Sequence, residues 1–232
     1  MITLLTFPPQ FGEPSASPFG VKAICLLNMS GQDWKIGNAD PRKMPKQKLP
    51  VLKVGERLIP DSENIRVYLE QQGADFDAGL NEAQRATSRA FIRMAEEHLY
   101  FHLVTDRWLR DDVWPNTRDT FFGMIPKAMR GFITNKIRKT LRAGLQTQGI
   151  GRFTEAERAE RVALDLEAIK LQLADKPNLF GDTPTAADAS ICPMLSALTT
   201  IPLPTKVSTL VKKDDTLLAY IARVRAALYH TA

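Results

Sequence analysis

Apolar residues follow two rhythms along the chain, and the change falls near residue 75. Before it, short apolar runs at residues 2–7, 34–36, 51–52 and 58–59 alternate with polar reversals. Runs of this length read as buried strands. Between the first two, Ser17 precedes Pro18, a cap and first-turn pair that opens a helix with Val21, Ile24, Cys25 and Leu27 on its apolar side. A second helix opens at Asp61 and Ser62, carries Ile65, Tyr68 and Leu69 on one face and stops near Gly73. The predicted order is strand, helix, strand, strand, strand, helix, an α/β domain over residues 1–75.

After a linker at residues 73–79 the pattern becomes helical throughout residues 81–232, an all-α domain. Asn81 with Gln84 makes a capping box for a long helix bearing Phe91, Met94, Leu99 and Leu103 and running towards Trp108. A second long helical region spans about residues 117–146, bent near Gly123 and Pro126. Thr154 with Glu157, and Thr185 with Asp188, open two more helices, and the last begins at Asp214 or Asp215.

Composition sharpens this picture in three places. The chain has 232 residues, 44% of them hydrophobic, enough for a sizeable core. No stretch approaches the roughly 20 apolar residues of a membrane span, and residues 1–7 lack a basic leader, so no membrane span and a cytoplasmic location are expected. The net charge of +5 concentrates at residues 127–142, but Ile125, Met129, Phe132, Ile133, Ile137 and Leu141 interleave there. That spacing predicts an amphipathic helix with a wet basic face, and no nucleic-acid partner.

Cys25 and Cys192 sit far apart among apolar residues and read as reduced core thiols. His98 and His102 have a spacing that could hold a metal, yet His230 is the only other histidine and no cysteine is near, so no metal is expected. The richest chemistry lies at residues 48–62. Pro50 enters a strand without an N–H, which leaves neighbouring backbone groups unpaired, and a cis bond is an option there. Asp61 and Ser62 add a carboxylate, a hydroxyl and the N-terminus of a helix. Together they make half of a small-ligand site.

Ser17-Pro18-Phe19, Lys48-Leu49-Pro50-Val51, Asp61-Ser62 and Thr185-Ala186-Ala187-Asp188, in this order, resemble the glutathione transferase superfamily. Gln10-Phe11-Gly12, Ile59-Pro60-Asp61-Ser62, Glu96-Glu97-His98-Leu99-Tyr100, Gly149-Ile150-Gly151-Arg152 and Gly181-Asp182-Thr183-Pro184-Thr185 resemble its metaxin-related and failed-axon-connections-like branch. The resemblance implies a thioredoxin-like N-terminal domain, an all-helical C-terminal domain, glutathione as co-substrate and a homodimer. It implies a role for Ser17 as the hydroxyl that stabilises the glutathione thiolate, with Ser15 second; Gly20 stands where some relatives have cysteine. Leu49, beside Pro50, would pair with the cysteinyl unit, Asp61 and Ser62 would hold the γ-glutamyl end, and Lys48 with Lys46 would meet the glycyl carboxylate. The acceptor pocket would lie between the domains, with Tyr100, His102, Trp108 and Phe121 or Phe122 as candidates. Two functions are implied: conjugation of the thiolate to a small hydrophobic electrophile, or a non-catalytic interaction module of the metaxin type that uses the basic surface at residues 127–142.

Overall fold

A computed structural model describes residues 2–123 and 125–231. The outer ends of the two expected domains, Met1 and Ala232, lie outside the described residues.

Four strands, β1 (Ile2–Leu5), β2 (Trp34–Gly37), β3 (Val51–Val54) and β4 (Arg57–Pro60), form one sheet in the order β2-β1-β3-β4. β1 runs parallel to β2 and antiparallel to β3, and β3 turns into antiparallel β4 at Gly55, whose φ of 58° suits glycine. The crossover from β1 to β2 is α1 (Pro18–Ser30), almost wholly buried and ended by Gly31 in the left-handed region at φ 67°. α2 (Ser62–Gln71) follows β4 and buries Ile65 and Leu69.

The remainder is helical: α3 (Glu82–Met94), α4 (Tyr100–Trp108), α5 (Trp114–Phe122), α6 (Lys127–Gln148), α7 (Glu155–Leu173), α8 (Ala186–Thr199), α9 (Lys206–Lys212) and α10 (Asp215–Leu228). A π-helical turn, Ala95–Leu99, joins α3 to α4 in one rod. At the centre lies α8, buried from Ala186 to Leu198 and opened by its capping box: Asp188 accepts bonds from the Thr185 N–H and hydroxyl, the Leu179 N–H and the Tyr220 hydroxyl. One continuous core runs from Leu4 and Leu52 of the sheet through α1 to α8 and α10.

The segment that reads as a linker is tied down. Phe76 and Asp77 are buried, and the Ala186 N–H donates to the Phe76 carbonyl at 3.0 Å and to Asp77 Oδ1 at 3.3 Å. Asp77 also accepts from Ser88 and Arg66.

Two expectations are refined. The helical region over residues 117–146, expected to bend near Gly123 and Pro126, divides there into α5 and α6. On α6 the interleaved apolar side chains do not all turn inward: Thr134 and Leu145 are its buried residues, while Phe132 is 81% and Met129 58% exposed. Spacing predicts the period of this helix but not how little of it finds a neighbour. The short α9, opened by reciprocal bonds between Thr205 and Ser208, is an addition to the predicted elements.

Candidate active site

Strand register gathers the site. Leu5 pairs with Val51, and Val51 pairs with Pro60, so these three residues stand in line across the sheet. The segments after Leu5, before Val51 and after Pro60 therefore leave from the same end. They lead to Ser17, to Leu49 and Pro50, and to Asp61 and Ser62.

At the first segment the chain returns towards α1 through an Ala16 N–H to Pro8 carbonyl bond of 2.9 Å. Ser17 occupies the cap position with extended backbone, yet its hydroxyl makes no capping bond. Half-buried at a helix N-terminus, that hydroxyl is free to donate. Ser15 plays a different part, being buried 2.9 Å from the Thr6 hydroxyl and accepting the Ser17 N–H. Ser15 shapes the turn that presents Ser17. Gly20 is confined by the same pair, since a Cβ there would stand 2.2 Å from Thr6 Oγ1 and 2.4 Å from Ser15 Oγ. A cysteine does not fit this position.

At the second segment the Leu49–Pro50 peptide is cis, and the Leu49 N–H and C=O take no partner among the described residues although the side chain is buried. The Pro50 carbonyl accepts the Asp61 N–H at 3.1 Å, which links this loop to the third segment. Asp61 has φ 82°, a region a non-glycine residue occupies at a cost and which concentrates at ligand-binding positions. Its carboxylate caps the Glu63 N–H at 3.0 Å, and buried Ser62 opens α2. Lys46 and Lys48 are exposed on the loop that enters Pro50.

Towards the helical half, the Tyr100 ring meets Phe19 edge-on at 4.7 Å, directly behind the Ser17 turn. Burial raises the Tyr100 phenol above its ordinary range and keeps it protonated. Trp108 gathers Trp114 and Phe121 at 5.5 Å and Phe122 at 6.0 Å. The sequence reading missed Phe11, which reaches Phe121 at 5.9 Å from a tight turn between Gln10 and Glu13 and lies beneath the Arg107 guanidinium. Its signal was the Phe11-Gly12 pair after two prolines, which have φ of 56° and 73°. The turn is clamped by buried Glu13, which accepts from Ser196 at 2.6 Å and Arg225 at 2.5 Å; burial raises its carboxyl pKa.

His102 does not join this group. It is fully buried, with Nε2 3.2 Å from His98 Nε2, and His98 in turn meets Asp165 of α7 at 2.5 Å. Two residues of helix separate it from Tyr100, which turns it to another side of the rod. Burial first, and the neighbouring charge of His98 second, push its pKa down to about 3. Also unread in the sequence is Lys22, fully buried on α1 with Glu63 at 3.2 Å and Glu96 at 2.5 Å. Its partners lie 41 and 74 residues away, beyond the reach of any local pattern.

A thioredoxin-like sheet with a free hydroxyl and an unpaired backbone segment at one end, roofed by an all-helical half, defines a glutathione-transferase-type protein. The chain belongs to the glutathione S-transferase family. It matches the family models of the glutathione S-transferase N-terminal domain over residues 18–113 and of the C-terminal domain over residues 162–224. It is 30% identical to the isoprene-epoxide glutathione S-transferase of Rhodococcus sp. (strain AD45), an alignment covering 97% of this chain and 98% of that one. Failed axon connections of Drosophila melanogaster is 28% identical over 80% of this chain and 47% of its own length. Human metaxin-2 is 22% identical over 78% of this chain and 69% of its own. Among solved structures, the β-etherase LigF from Sphingobium sp. strain SYK-6 superposes with a TM-score of 0.69 at 17% identity, covering 98% of this chain and 96% of that one. A glutathione S-transferase of Ceriporiopsis subvermispora in complex with glutathione gives 0.64 at 18% identity, covering 100% and 98%.

Proposed function

We propose that the protein binds glutathione at the end of the sheet and joins its thiolate to a small hydrophobic electrophile. Residues 1–75 serve as the glutathione-binding domain and residues 81–232 as the acceptor domain. The observation that carries this reading is the register that brings the Ser17 hydroxyl, the unpaired Leu49 backbone and the Asp61-Ser62 helix start to one end of the sheet. The thiol, with an ordinary pKa of about 8.5, is held as thiolate by the Ser17 hydroxyl and the positive end of α1. Leu49 pairs with the peptide backbone as an added strand. Asp61 and Ser62 take the γ-glutamyl end, and Lys46 and Lys48 the glycyl carboxylate.

In the transfer the sulfur forms a bond to the electrophilic carbon while the bond to the leaving atom breaks with its electron pair. The Rhodococcus relative is named for an epoxide substrate, which makes an epoxide the first electrophile to try, and the protonated Tyr100 would donate to a ring oxygen as it opens. No metal is required. The location is cytoplasmic and the assembly a homodimer; exposed Leu58 and Val67 on β4 and α2 offer apolar surface for a second copy.

Titration calorimetry with glutathione at millimolar concentration, followed by conjugation of a small epoxide and of a chloronitrobenzene, tests the reading. Binding with conjugation is expected. Absence of glutathione binding overturns it and leaves the non-catalytic interaction module.

A further inference from the structure

We propose that the outer side of α6 docks the protein on an anionic phospholipid surface, independently of the glutathione site. From Thr120 to Thr154 the chain has no acidic residue and seven basic ones, more positive charge than the whole protein's net +5. Three of the seven are already engaged, Arg152 by donating to the Gln146 carbonyl. Arg130 donates to the Gly123 and Ile125 carbonyls and to Asp119, and Arg138 to the Trp108 and Leu109 carbonyls and to Asp111. Lys127, Lys136, Lys139 and Arg142 are exposed and have no partner among the described residues.

The same helix carries the most exposed aromatic side chain described, Phe132 at 81%, with Met129 at 58%. Met129, Phe132, Lys136 and Lys139 recur at three- and four-residue steps, so they share one outward stripe. Apolar tips set among unpaired lysines suit the boundary between headgroups and acyl chains, where the ring enters and the ammonium groups meet phosphates.

Charge decides between occupants. A second copy docked by the same face would set these cations against themselves. A peptide would need a groove, and no α6 residue lines either the cavity at Gly12 and Arg225 or the one at Leu58 and Tyr68. A nucleic-acid backbone would use the lysines and leave Met129 and Phe132 without purpose.

The experiment is co-sedimentation of the full chain with vesicles of phosphatidylcholine alone and with about a quarter phosphatidylglycerol, across a salt series. Binding to the anionic vesicles, lost as salt rises, is expected. Lys136→Ala with Lys139→Ala should weaken it about fivefold for each lysine removed. Phe132→Ser should weaken it without altering the salt dependence. All three substitutions leave glutathione conjugation intact, because none touches that site. Equal sedimentation with both vesicle types, none with either, tighter binding of a single-stranded oligonucleotide, or a Phe132-dependent dimer in place of vesicle binding would each overturn the proposal.

Discussion

Ser17 and Ser15 stand two residues apart and act differently, and substitution separates them. Under the proposed function, Ser17→Ala removes a donor to the thiolate, and a hydrogen bond to a charged group is worth about 1.5–3 kcal/mol. Conjugation should therefore fall by about ten- to a hundredfold, with the thiol pKa moving up and the ascending, acid-side limb of the rate profile moving to higher pH with it. Stopped-flow ultraviolet titration of bound thiolate checks this. Ser15→Ala leaves the Thr6 hydroxyl buried without its partner, a cost of about 1–3 kcal/mol. That loss is read as a lower Tm in calorimetry. At Gly20 even an added methyl overlaps Thr6 and Ser15, so Gly20→Ala should lose about 1–3 kcal/mol of stability. The serine before Pro18 was legible because a cap and a first-turn proline have fixed places. The crowding at Gly20 was not, since it depends on Thr6, just after β1, packing against α1.

Among the elements, the rod of α3, the π turn and α4 shows where periodicity stops informing. Its capping box at Asn81 and Gln84 was legible, and both reciprocal bonds form. The π turn was not legible, because one extra residue in a turn leaves the apolar spacing nearly unchanged. That turn carries Glu96 to Lys22 and His98 to Asp165. His102, one turn on, has a folded pKa of about 3, below its unfolded value of about 6.5. A depressed folded pKa means that the unfolded chain binds the extra proton, so His102 contributes stability that is fully present above pH about 6.5 and drains away as pH falls through about 3. Denaturation curves should therefore show weakening below pH about 6.5. His102→Gln should flatten that slope while leaving glutathione affinity unchanged.

Across the whole molecule, Lys22 ties α1 to α2 through Glu63 and to the helical half through Glu96, Arg93 and Ser190. Lys22→Met takes one cation from buried Glu96, which keeps Arg93, and from half-buried Glu63, which keeps Arg66, Arg89 and Arg93. Urea titration should register a loss near the lower end of about 3–5 kcal/mol. The two-part architecture was legible because strand-length runs give way to helical ones at one place in the chain. The bond between the parts was not: residues 73–79 are composed like a free linker, and only folding reveals Ala186 bonded to Phe76 and Asp77. A backbone cut just after Asp77 would leave its carboxylate on one fragment and the Ser88 and Ala186 donors on the other. The pieces would then carry matching ends. Co-expressed as separate polypeptides, they should find each other and reconstitute a working whole, which makes this joint the natural place to split the protein into a complementation reporter.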